Sequence, residues 1–130
     1  MANDLYVEVA NFTVAKTFTK DDKSKLVKAM SDAAKDALAK TKLTVSKKTP
    51  KTMNFTLGGA LTLKPNGKGA TGSVSIQLNR LPEDKLYGMA SGEAVTDDLG
   101  MVMDLAEQLV ADVVAKRISV ALKKAAAEKP

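Results

Sequence analysis

Lysines and carboxylates are the main side chains left to do chemistry in this chain, because its 130 residues include no histidine and no cysteine. Imidazole is the usual acid, base or ligand near neutral pH, and thiolate the usual nucleophile or soft ligand. Three adjacent carboxylate pairs remain: Asp21–Asp22, Glu83–Asp84, and Asp97–Asp98 with Glu93 close in sequence. A hard cation takes about six or more oxygens, and no opposing ligand set accompanies any pair. Two pairs stand at the starts of amphipathic segments, where acids complement the helix dipole. Glu83–Asp84 follows Pro82 and belongs to a turn. No metal and no cofactor is expected.

Nucleophilic chemistry fares no better. A serine without histidine needs a desolvated lysine as its base. Ser24-Lys25-Leu26-Val27-Lys28 has the spacing, but Lys28 falls on the polar face of a helix. Gly67, Gly69 and Gly72 resemble a phosphate cradle only in composition. That motif needs a strand before it, a helix after it, and Lys-Ser or Lys-Thr at its end. Here the segment lies between two strands and is expected to be a mobile hairpin connection. The chain is expected not to be an enzyme.

Charge supplies the best candidate for partner contact. The net charge is +5, and residues 1–52 carry 11 lysines against 6 acids. Residues 97–130 carry 5 bases against 6 acids. Lys42, Lys47, Lys48 and Lys51 form a run with no acid among them. Such a run can neutralise nucleic-acid or lipid phosphates; it can equally keep a sheet edge from pairing. Nucleic-acid readers usually add arginines or stacking aromatics. This chain has only Arg80 and Arg117, and aromatics are 4% of it.

Elements follow from hydrophobic period. Leu5, Val7 and Val9 alternate with polar neighbours, and Phe12, Val14 and Phe18 resume on the other parity. The switch at Asn11–Phe12 predicts a bulge in one strand over about residues 4–18. Thr19, Asp21 and Asp22 precede a helix to about Thr41, with Leu26, Met30, Ala33 and Ala37 on its buried stripe. Leu43 and Val45 fit a short strand, and Ser46–Thr52 a basic loop. Met53, Phe55, Leu57, Leu61 and Leu63 share one strand face. Val74, Ile76 and Leu78 share that of the next. Leu86–Val95 is a weaker strand, interrupted by Gly88 and Gly92. Thr96–Asp97–Asp98 caps a second helix to about residue 126. At 1.5 Å per residue it spans about 40 Å, against about 30 Å for strands of eight to ten residues. Its last turns are expected to overhang.

The order β-α-(β)-β-β-β-α makes a single α+β domain over 1–130, a two-layer sandwich with a mainly antiparallel sheet and both helices on one face. The core is aliphatic, with Phe12, Phe18 and Phe55 its largest pieces. The other sheet face carries Asn54, Thr56, Thr62, Ser73, Ser75, Gln77 and Asn79, all small or uncharged. Such a face is either solvated or packed against another subunit. In order alone the later elements resemble a double-stranded-RNA-binding domain. That family places lysines at the start of its second helix, where this chain has Thr96-Asp97-Asp98. With its leading strand, the order is similar to small bacterial envelope domains such as the N-terminal domain of TolB and lipoprotein activators of cell-wall synthases.

These features point to a non-enzymatic structural or interaction protein, a self-associating subunit or accessory of a larger complex. A phage particle, an injection apparatus and the bacterial envelope are the settings considered. The alternative is a basic nucleic-acid-binding accessory protein using the lysine run. No signal peptide is evident at Met1-Ala2-Asn3-Asp4-Leu5, and no apolar run approaches the roughly 20 residues of a membrane helix. A soluble protein, cytoplasmic or assembled into a particle and without membrane insertion, is expected.

Overall fold

The computed structural model describes residues 4–14, 23–45, 47–98 and 101–128. Along them run β1 (Leu5–Val14), α1 (Lys23–Thr41), β2 (Met53–Asn66), β3 (Gly69–Arg80), β4 (Lys85–Thr96) and α2 (Val102–Val113). A π-helical segment (Val114–Ile118) joins α2 to α3 (Ser119–Ala127). The strands form one sheet in the order β1-β2-β3-β4. β1 runs parallel to β2, and the other two pairs are antiparallel. This is the expected α+β sandwich. The short strand expected at Leu43–Val45 contributes one parallel bridge, Thr44 to Leu5, with Val45 N–H donating to the Leu5 carbonyl at 2.8 Å.

The parity switch in β1 is a bulge. Val9 pairs with Leu57 and Phe12 with Gly59, so β1 spends one residue more than β2 over that stretch. The extra residue returns Phe12 and Val14 to the buried side; without it, every later side chain would change face. Phe18, Thr19, Asp21 and Asp22 lie outside the described residues. Phe55, Leu57, Leu61, Val74, Ile76 and Leu78 meet Leu26, Met30, Val110, Val114, Ile118 and Leu122 in one core.

The expected hairpin connection between β2 and β3 is shorter than its glycines suggest. The ladder continues to Asn66↔Gly69, leaving Gly67 and Lys68 as the turn. Gly67 takes φ +62°, the left-handed conformation that two-residue hairpins require. Gly69 lies so close to the Thr96 carbonyl that a Cβ has no room. Pro65, whose ring removes an N–H, sits beyond the β1 ladder, which ends at Leu61.

β4 is a full strand of 12 residues, not a weak one. Gly88 and Gly92 stand where the helical layer crosses it: a Cβ would meet Ala121 Cβ at 3.1 Å and Val113 Cγ2 at 2.8 Å, respectively. Close approach, not chain freedom, places them there. A register shift near the start of β4 inserts Tyr87 between the partners of Leu78 and Asn79. Its ring then packs edge-on to Phe55, with centroids 5.3 Å apart at 71°.

Two expectations about the second helix are corrected. Thr96 Oγ1 makes a local turn with Asp98, accepting its N–H at 3.3 Å, and α2 starts only at Val102 with no side-chain cap. Nor do the last turns overhang, since Leu122 and Ala125 are fully buried. Strands of 12 to 14 residues reach about 40–45 Å at 3.3 Å per residue, which matches the helix. At the start of α3 Ser119 Oγ donates back to the Ala115 carbonyl of the π segment at 2.6 Å, which satisfies this buried hydroxyl.

Candidate interaction surface

Among the described residues nothing packs over one face of the sheet, and the predicted polar residues come together on it. Thr56 pairs with Asn79 and Thr62 with Ser73 across β2 and β3. Thr56, Ser75, Gln77 and Asn79 line a shallow depression of about 280 Å³ with Thr13, Gly58 and Ala60. Asn54 lies at the end of the same row, where its carbonyl accepts from Leu81 N–H at 2.9 Å. Neutral hydroxyls and amides at this density suit wet, hydrogen-bonded contact.

The lysine run is presented differently. Lys42 ends α1 in the left-handed region, with φ 57°. Lys47, Lys48 and Lys51 are exposed on the loop that leads into β2. Thr49 and Thr52 hold that loop: Thr49 N–H donates to Thr52 Oγ1 at 3.1 Å, and Thr52 N–H to the Thr49 carbonyl at 3.2 Å. Among the described residues none of the four lysines makes an ion pair. Because Thr44 and Val45 bond to Leu5, this basic loop begins beside the β1 edge. That is where lysines would discourage strand addition.

The opposite edge carries what the sequence reading missed. Leu86, Met89 and Val95 of β4 are 59%, 61% and 57% exposed. Met89 pairs with Gln77 and Val95 with Thr71, so both stand on the open face. Their signal was present in the alternation of β4. It was masked because the inserted Tyr87 puts even-numbered Leu86 on the same side as odd-numbered Met89. Beside this edge a groove of about 340 Å³ runs between β4 and α3, with Met89, Val120, Arg117 and Lys124 in its lining. A second groove of about 410 Å³ separates α1 from α2, with Asp32, Asp36, Glu107 and Asp112 over a floor of alanines. Among the described residues no three carboxylates converge as a metal-ion site.

At the start of β4, Tyr87 Oη donates to Glu128 Oε2 at 3.3 Å, and Arg80 Nη1 lies 3.5 Å from the same oxygen. Burial, then the Glu128 charge and its hydrogen bond, raise the Tyr87 pKa above 10.0, while Arg80 opposes them. The folded state therefore holds this proton more tightly than the unfolded chain does. That contribution is complete below about pH 10 and is lost as pH rises through the folded value. Thermal melts across this alkaline range should fall more steeply for the parent chain than for Tyr87→Phe. Parallel curves would mean that Tyr87 ionises no differently in the two states.

No protein-family model matches the chain, and no curated protein sequence is similar to it. Solved structures do share its fold. Two crystal forms of the PelC dodecamer from Paraburkholderia phytofirmans align with TM-scores of 0.59 and 0.57 at 15% identity, covering 88% of this chain and 87% and 89% of that one. A putative lipoprotein from Caulobacter crescentus aligns at 0.52 and 13% identity, over 95% of this chain and 93% of that one. A minor lipoprotein from Acinetobacter baumannii aligns at 0.51 and 9% identity, over 95% of each chain. At these identities the likeness is one of fold: a mixed sheet with its helices on one side.

Proposed function

We propose that this chain is a non-catalytic subunit of a homomeric assembly of the bacterial envelope. The carrying observation is the uncovered sheet face. Its centre is small and uncharged, and it passes into the exposed Leu86, Met89 and Val95 of an edge strand that carries no charge between Lys85 and Glu93. Monomeric proteins usually interrupt such an edge with charge, proline or a covering loop. The dodecameric state of PelC and the lipoprotein descriptions of other structures with this fold support the choice of assembly and setting. The want of imidazole and thiol supports a role without turnover. No helix among the described residues is long and apolar enough to cross a membrane.

The test is recovery of the protein from its own cells after crosslinking. Bands at multiples of 13.7 kDa, free of nucleic acid by absorbance ratio, are the expected result. A bare monomer would overturn the proposal. Recovery on nucleic acid that dissociates steeply with salt would replace it with a role for Lys42, Lys47, Lys48 and Lys51.

A further inference from the structure

The two edges of the sheet are finished in opposite ways. β1 is bridged at Leu5 by Thr44 and followed there by the lysine loop. β4 pairs with β3 along its length, and among the described residues no backbone bond leaves it on the other side. Between Lys85 and Glu93 it holds no charge and no proline. An open edge of this kind is a template for another strand.

The sequence of β4 selects the strand. Direct partners in an antiparallel pair share a face. Met89, Ser91, Glu93 and Val95 lie on the open face, and Gly88, Ala90, Gly92 and Ala94 on the helical one. With Gly92 on a two-fold axis, every facing pair matches. Met89 meets Val95, Ala90 meets Ala94 and Ser91 meets Glu93, each pair occurring twice. The two exposed large hydrophobics of the open face past the bulge thereby cover each other, and no like charges oppose.

Charge at the two ends of β4 agrees with this register. At and just past its C-terminal end stand Glu93 and Asp97. At its N-terminal end the groove beside Tyr87 and Met89 is lined by Arg117 and Lys124. The acids there have bases of their own: Glu128 pairs with Arg80 at 3.5 Å and Glu83 with Lys85 at 3.6 Å, while Asp84 is exposed in the turn. Antiparallel association lays the acidic end of one strand against the basic end of the other. From these observations we infer that β4 pairs antiparallel with β4 of a second copy about a two-fold axis at Gly92, extending the sheet to eight strands. This rests on the proposed self-association and names its interface.

Two sets of variants test it by sedimentation velocity and non-reducing electrophoresis of the full chain. Met89→Lys with Val95→Lys sets lysine against lysine in both facing pairs. Both positions are exposed, so the far-ultraviolet circular dichroism should stay that of the parent fold. The expected result is half the parent's native mass at equal concentration. The chain has no cysteine, so engineered thiols report register without background. Cross-strand Cα spacings of about 4.5–5.5 Å lie within disulfide reach. Met89→Cys with Val95→Cys should give a disulfide-linked dimer under mild oxidant. Neither single variant should, because its two thiols lie about 20 Å apart, six residues along the strands. An unchanged mass in the lysine variant overturns the β4 interface and leaves self-association through another surface. Crosslinking by a single variant overturns the register. A monomeric parent chain overturns both the pairing and the function on which it rests.

Discussion

Phe55→Ala should cost about 3–5 kcal/mol of folding stability, the usual penalty for emptying a buried phenyl site. Phe55 is fully buried on a central strand, between Val7 of β1 and Arg80 of β3 in the ladder. It has no close substitute: the core is otherwise aliphatic, and its other described phenylalanine, Phe12, lies over Gly59. The edge-on contact with Tyr87 is lost as well, and with it the packing that holds the inserted residue of β4 in place. Urea titration of the two proteins at neutral pH measures the difference directly. A loss below about 1 kcal/mol, typical of a substitution that meets little packing, would mean that Phe55 is not at the centre of the core.

Gly92→Leu should destabilise the fold by about 1–3 kcal/mol or more through overpacking. Its Cβ would stand 2.8 Å from Val113 Cγ2 and 3.2 Å from Leu109 Cδ1. Valine is stiff at its branched carbon, so α2 must move off the sheet. Ser91→Leu, one residue earlier, is the informative control. Its side chain faces the open side, and surface changes usually stay within about 0.5 kcal/mol. The pair of melting temperatures therefore reads which face of β4 the helical layer covers. Equal losses at both positions would contradict the assignment.

How much of this was legible in the sequence can be stated by element. Period alone located all four strands and both helices. The parity break at Asn11–Phe12 even foretold a bulge, because a one-residue slip would turn Phe12 and Val14 out of the core. The polar face was legible for the same reason: Thr56, Thr62, Ser73, Ser75, Gln77 and Asn79 alternate with residues that must be buried. What failed were the glycines. Gly69, Gly88 and Gly92 read as flexibility or weakness, whereas Gly69 and Gly92 leave no room for a Cβ and Gly88 would crowd one against Ala121. That information lies in the packing of distant segments and leaves no local trace. The apolar edge was lost for a related reason, since the Tyr87 insertion breaks the period that would have put Leu86 with Met89. The expected overhang failed because the strands were taken as too short; the ladder runs on through Pro65 to Asn66.

A consistent picture links these parts. The bulge in β4 packs Tyr87 against Phe55, turns Leu86 and Met89 outward together, and leaves an edge uncharged from Leu86 to Gly92 beside a face of hydroxyls and amides. Glycine at positions 88 and 92 keeps the helical layer low over that same strand. The β1 edge, by contrast, is bridged and followed by lysines. In this reading the β1 edge is bridged at Leu5 and the β4 edge is made for a copy of itself.

Sedimentation equilibrium of the unmodified chain across a wide concentration range tests that claim most directly. The account predicts a discrete mass that is a multiple of 13.7 kDa, falling toward one protomer only on dilution. A single species at 13.7 kDa throughout would contradict it.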